Sequence, residues 1–439
     1  MQVTESTPRM RWGIPAVALS LVIAACSGTA ADPTTTTEPS TTAVTTTTAA
    51  PTTTASTTTT TIVPRPVGEI PAFPDDDEVI GTDSDVVIGT LDNGITYYVR
   101  SNDRPGLRAQ LRLAVRAGSV QEEADQRGGA HFLEHMLFNG TEQYPANELI
   151  TVLQQFGAEF GPDINAYTSY EETVYELSLP TDREELLPTA MNVLREWASA
   201  ATIDPAEVEL ERGVLVEEWR LRSQGFSGRY FEGVIDRLLG GTPYEGQGTL
   251  ADPDEVADTT AESLRRFYED WYRPDNLAVV AVGDFDVAEV EQLIAETFGG
   301  LPAGDGPVLP DLFTEPAVEP EYFVLADPEY RQAFIELNYP LPALAEDTIG
   351  SLRREMAYGL AWDILVTRLE EDALGGETPF YAASFAANPL VRTQRSPGLA
   401  GLAEPSQLAA TAEALLTEIE RALVYGFEPG ELERAIAET

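Results

Sequence analysis

The pentapeptide His131-Phe132-Leu133-Glu134-His135 constrains the fold more than any other stretch, because it holds both histidines of the 439-residue chain with a carboxylate beside them. On a helix, residues i and i+4 share a face and i+3 lies next to them, so His131, Glu134 and His135 converge only if this segment is helical. Phe132, Leu133, Met136 and Leu137 then form an apolar stripe that must pack, leaving the polar trio at the edge of a core. Just upstream, Gly128-Gly129 permits close approach of a neighbouring backbone. The pattern predicts a helix over 126–138. Imidazole is a common zinc ligand, and a carboxylate one turn away can take a proton from a metal-activated water. The order inverts HExxH yet keeps two ligands and one base on a single face. A catalytic zinc site takes three protein ligands. No further histidine exists and the single cysteine, Cys26, lies far upstream, so the third ligand must come from the acidic residues elsewhere.

Asp204-Pro205 marks a second strong helix start, since aspartate caps free amides and proline is tolerated in the first turn. Along this helix Glu211 and Glu218 lie about two turns apart and share a face, with Glu207 on it one turn earlier. Glu217 points away by roughly a hundred degrees, as suits a solvated face. Periodicity nominates Glu211 and Glu218 without ranking them.

Around these helices the chain alternates sheet and helix signals. Strands are expected at 86–90, 95–100, 111–115 and 278–282, with Asp92-Asn93-Gly94 turning the first hairpin. Helices are expected at 182–200, 228–239, 260–268 and 287–298. The mixture implies an α/β or α+β layered architecture for a domain at 79–300. A linker composition covers 301–321, and a second domain at 322–439 carries strand signals at 322–326, 333–337, 380–386 and 390–393. Its helices are expected at 349–371, at 406–424 and from Pro429 onward, and no second HxxEH occurs there. The last helical pattern meets no stop signal, so this domain is expected to be incomplete.

The N-terminal region is of another kind. Arg9 and Arg11 precede an apolar run over 14–25, and Ile23-Ala24-Ala25-Cys26 resembles a bacterial lipobox. Residues 1–26 therefore read as a lipoprotein signal peptide with Cys26 as the lipidated residue. An uncleaved signal anchor or ordinary secretion are the alternatives, and each places the remainder outside the cytoplasm. A Thr/Pro/Ala-rich stalk follows over 27–78, too poor in apolar residues to repay ordering. The 73 acidic residues against 27 arginines, with no lysine, give a net charge of -46 that repels phosphate backbones and excludes a nucleic-acid role.

HFLEH followed by MLFNGT, NAYTSYEETVY over 165–175, ERGVLVEEW over 211–219, WYRPDN over 271–276 and NLAVVAVGDF over 276–285 together resemble the inverted-zincin peptidases of the pitrilysin, insulinase and mitochondrial processing peptidase family. The resemblance implies repeated sheet-plus-helix domains, the second without metal. It implies one Zn2+ per chain on His131, His135 and Glu218, with Glu134 as general base and Glu211 supporting the site without coordinating. Asn165 and Ala166 match residues of an edge strand that engages peptide backbone, although Asn165 equally suits a structural turn hydrogen bond. The implied activity is zinc endopeptidase cleavage of extended peptides or unfolded polypeptides by an exported protein, lipid-anchored to the outer face of the cell membrane or secreted. The alternative is an inactive scaffold or half-enzyme that needs a C-terminal half or partner subunit to close the cleft.

Overall fold

The computed structural model describes residues 73–145, 148–155, 157–313, 321–343 and 347–438. The signal-like segment, Cys26 and the stalk through residue 72 lie outside the described residues. Among the described residues no helix is long and apolar enough to cross a membrane.

The first domain opens with β1 (Val86–Thr90) and β2 (Thr96–Ser101), an antiparallel pair. Gly94 turns the hairpin with φ +103°, and Asn93 Nδ2 donates to the carbonyls of Phe298 and Leu301 at 2.9 and 3.1 Å. Then come β3 (Arg108–Val115), α1 (Gly129–Asn139), α2 (Glu148–Gln155), β4 (Ile164–Thr168) and β5 (Thr173–Pro180). Four more helices follow, α3 (Leu186–Ser199), α4 (Pro205–Ser223), α5 (Phe226–Leu238) and α6 (Pro253–Asp258), before α7 (Ala261–Trp271), β6 (Leu277–Gly283) and α8 (Val287–Phe298). The sheet runs β1-β2-β6-β3-β5-β4, antiparallel except for the β2–β6 pair, so β4 is an edge strand. Alternation decides which face is covered: Ala109, Leu111, Leu113 and Val115 of β3 are buried, as are Leu277, Val279 and Ala281 of β6. Helices α1, α3 and α8 pack with these strands into one core that includes Trp197, Phe267 and Phe298.

The second domain contains β7 (Ala333–Asn338), β8 (Leu341–Pro342), α9 (Ile349–Gly375), β9 (Phe380–Val391), β10 (Gln394–Ala403), α10 (Leu408–Tyr425) and α11 (Pro429–Glu438). Strand β10 pairs antiparallel with β7, β8 and β9, and its core gathers Leu365, Leu369, Phe380, Leu399 and Leu415. Both domains are α/β sheet-plus-helix layers, as the sequence led us to expect.

Several local expectations are corrected. Residues 322–326 join no ladder; Leu325 packs against Gly233 and Phe323 lies under the Arg237 guanidinium, so the segment straps α5 instead. The two strands expected at 380–386 and 390–393 are the single strand β9, because Pro389 is accommodated opposite Arg395 beside a register shift. Neither α2 nor β10 was expected. The end of the expected stalk also differs: residues 73–78 include a turn whose Asp75 and Asp76 meet Arg353 on α9.

Candidate metal centre

Helix α1 exists because its apolar residues bury Phe132, Leu133, Met136 and Leu137 completely, and Trp197 Nε1 donates to the Leu137 carbonyl at 2.9 Å. Its start is built with care. Gly128 adopts φ +72° and lies so close to Ala251 that a Cβ would collide with it. The buried Glu122 carboxylate accepts from the amides of Gly128 and Ala130, both at 2.8 Å, and so satisfies helix-start donors. Burial pushes that carboxyl up, to about 8, against the two amide bonds, which favour the charged form.

The facing helix α4 begins as its sequence predicts: Asp204 accepts from the Ala206 amide at 2.7 Å and Pro205 occupies the first turn. Buried Val208 and Leu215 seat it, and Arg212 donates to the Val256, Ala257 and Thr259 carbonyls at the end of α6. Two supported helices thus present their polar edges to each other.

Between them, ligand atoms of His131, His135 and Glu218 lie within 4.8 Å of one another. Glu218 Oε2 is 3.3 Å from His135 Nε2 and 3.7 Å from His131 Nε2, while its Oε1 meets Arg222 at 2.8 Å. The imidazoles stand edge to face, with centroids 4.8 Å apart. Glu211 Oε1 accepts a hydrogen bond from His135 Nδ1 at 2.8 Å, and its Oε2 accepts from Asn139 Nδ2 at 2.7 Å. Glu211 therefore fixes the imidazole tautomer and leaves Nε2 to face Glu218. Glu134 is 7% exposed and accepts from Thr168 Oγ1 at 2.6 Å.

Electrostatics suit a cation at this point. Burial, then the like charge of His135, lowers His131 to about 4, so at neutral pH it is the neutral form that donates to metals. Burial opposes the charge on Glu218, but the His135 hydrogen bond and the neighbouring His131 and Arg222 hold it down at about 2. Burial would also lower His135; Glu211 and Glu218 outweigh it and carry the ring up to about 9. Burial raises Glu134, and the Thr168 bond opposes that rise. Two nitrogens and a carboxylate on two braced helices match the three-ligand pattern of a catalytic metal site.

The structure brings His131, His135, Glu218, Glu211 and Glu134 together, and Glu217 instead pairs with Arg220 on the outside of α4. Asn165 and Ala166 fall on β4 at the sheet edge. Sequence reasoning missed Asn139 and Arg222, although each lies four residues beyond a cluster member on the same helix. It also missed Glu122 and Thr168, which reach their partners from outside the helices and leave no periodic signal.

Residues 97–225 match the family model for insulinase, peptidase family M16, and residues 258–439 match the model for the peptidase M16 inactive domain. The chain is 33% identical over 356 residues to a probable zinc protease PqqL of Escherichia coli, covering 80% of this chain and 38% of that protein. It is 35% identical over 336 residues to a zinc protease PQQL-like protein of Arabidopsis thaliana, covering 76% of this chain and 35% of that one. The crystal structure of the first half of the periplasmic protease PqqL from Escherichia coli superposes with a TM-score of 0.76 at 32% identity, covering 82% of this chain and 77% of that one.

Proposed function

The chain belongs to the insulinase (M16) family of peptidases, and from that premise we propose that it is a zinc-dependent endopeptidase cleaving extended peptides or unfolded polypeptides outside the cytoplasm. The observation that carries this reading is the convergence of His131, His135 and Glu218 beside the buried carboxylate of Glu134. Zinc on such a donor set polarises a scissile carbonyl and acidifies a water. Glu134 is the base that takes the proton from the attacking water and passes it to the departing amine. Glu211 acts through His135, whose ring it orients. On β4, the main chain at Asn165 and Ala166 offers hydrogen bonds to an extended peptide whatever its side chains.

Export is supported by the signal-like segment ending in Cys26 and by the likeness to a protease described as periplasmic. Lipid anchoring at Cys26 belongs to the same proposal and rests on the lipobox-like residues. A second reading keeps the metal site in a chain that turns over peptide only when a C-terminal half or partner subunit closes the cleft. Behind it stands the coverage of the relatives, 38% and 35% of their lengths.

Peptide hydrolysis by the full chain, with and without chelator, alongside zinc stoichiometry, tests both. One zinc per chain is expected, with hydrolysis lost on chelation and in Glu134→Gln while that variant keeps its zinc. Parental rates in Glu134→Gln would defeat the base assignment. Stoichiometric zinc without any hydrolysis selects the second reading.

A further inference from the structure

We propose that Thr168 is a positioning residue that fixes the plane of the Glu134 carboxylate and ties it to the strand along which substrate lies; the proposal rests on Glu134 being the base. Thr168 Oγ1 donates to Glu134 Oε2 at 2.6 Å, the length of a hydroxyl bond to a charged acceptor. Among the described residues no ion pair within 4.0 Å holds Glu134, so the hydroxyl is the polar side chain that orients it. The bond engages one carboxylate oxygen and leaves the other to exchange a proton.

The hydroxyl is itself held by the sheet. Thr168 ends β4 and pairs in register with Thr173 of β5. Thr173 is fully buried and donates its only hydroxyl proton to the Ala117 carbonyl at 2.9 Å. It stands 3.5 Å from Thr168 Oγ1, whose own proton goes to the carboxylate. Along β4 the side chains alternate: Ile164 and Ala166 share a face with Thr168 and turn to the core, while Asn165 and Tyr167 are exposed. One strand therefore offers a backbone edge to a peptide and, from its inward face, grips the base. Any shift of β4 on loading moves the group that orients Glu134.

The test compares Thr168→Val and Thr168→Ser in the zinc-loaded full chain, with Thr168→Ala as a second deletion of the hydroxyl. Valine suits a strand, so folding and zinc content, checked by thermal unfolding and metal analysis, are expected to hold. The expected loss in kcat for Val and Ala is about tenfold to a hundredfold with KM unchanged, as for removal of one partner of a buried polar group. Serine, which keeps the hydroxyl, restores kcat. A parental kcat in Thr168→Val overturns the proposal, as does a rise in KM alone. Crystal structures of the zinc-loaded variants give a readout without turnover: the Glu134 carboxylate is expected to rotate in Val and to stay in Ser, and an unmoved Glu134 in Val also overturns the proposal. Failure of the base assignment shows separately, as activity surviving in Glu134→Gln itself.

Discussion

His135 is the residue on which metal chemistry and proton chemistry compete, because Glu211 engages its Nδ1 while Glu218 faces its Nε2. With both carboxylates beside it the ring keeps its second proton up to about 9, above the ordinary 6.5. A raised folded pKa stabilises the metal-free protein fully below 6.5, and that contribution is lost as pH rises through about 9. Ligation at Nε2 displaces this proton. At pH 7 His131, lowered to about 4, and Glu218, held at about 2, have already lost theirs. Zinc binding at neutral pH is thus expected to release about one proton, with apparent affinity climbing towards pH 9. Calorimetry in buffers of different ionisation enthalpy measures the release, and an affinity flat between pH 6.5 and 9 would sink the assignment. At this scale the sequence was most legible where a single helix repeats: His131, Glu134 and His135 are one motif, and Glu211 and Glu218 share a face. Periodicity left those two glutamates unranked and the family resemblance alone told them apart; the physical basis is tertiary, since α1 meets Glu211 with the Nδ1 side of the His135 ring and Glu218 with the Nε2 side.

Elements were legible where local signals agree. Asp204-Pro205 opens α4 and the run over 287–298 is α8, because cap chemistry and apolar period point the same way. They were misread where proline or alternation speaks for a structure that packing overrides, as at Pro389 within β9 and in the unpaired 322–326. The start of α1 lies between these cases. Its glycine pair was visible, but the helix begins at Gly129, three residues later than the pattern suggested, because Glu122 folds back and captures two amides there. Removing that acceptor in Glu122→Ala leaves two buried donors without it, at a cost of about 1–3 kcal/mol. The expected outcome is a lower urea midpoint, with weaker zinc binding because His131 sits in the first turn of the freed helix end. An unchanged midpoint and zinc affinity would show that the cap is dispensable.

Across the whole molecule, the two sheets are joined close to the site. The tip between β9 and β10 reaches the turn between β4 and β5, where Glu171 accepts from the Tyr244 hydroxyl at 2.7 Å and the Arg392 amide at 3.0 Å and pairs with the Arg392 guanidinium at 2.9 Å. Tyr244, Leu239, Leu312 and Val391 bury a small apolar cluster behind it. Stacking of Phe226 on Tyr330 at 4.0 Å and the Arg229–Asp327 pair at 2.7 Å fix α5 to the second domain as well. None of this was readable in advance, since the polar contacts span 73 to 221 residues and join segments with no motif of their own. The latch grips the turn that follows Thr168, so the second domain steadies the strand proposed to carry substrate. Replacing Glu171 by Ala strips three donors of one acceptor, and we expect about 1–3 kcal/mol of local stability to be lost at the tip. Amide hydrogen exchange reads it directly: the Arg392 amide is expected to exchange faster in the variant, together with amides of the 169–172 turn, while the core of β3 is unaffected. Equal protection at Arg392 in both proteins would mean that the apolar cluster holds this tip without Glu171.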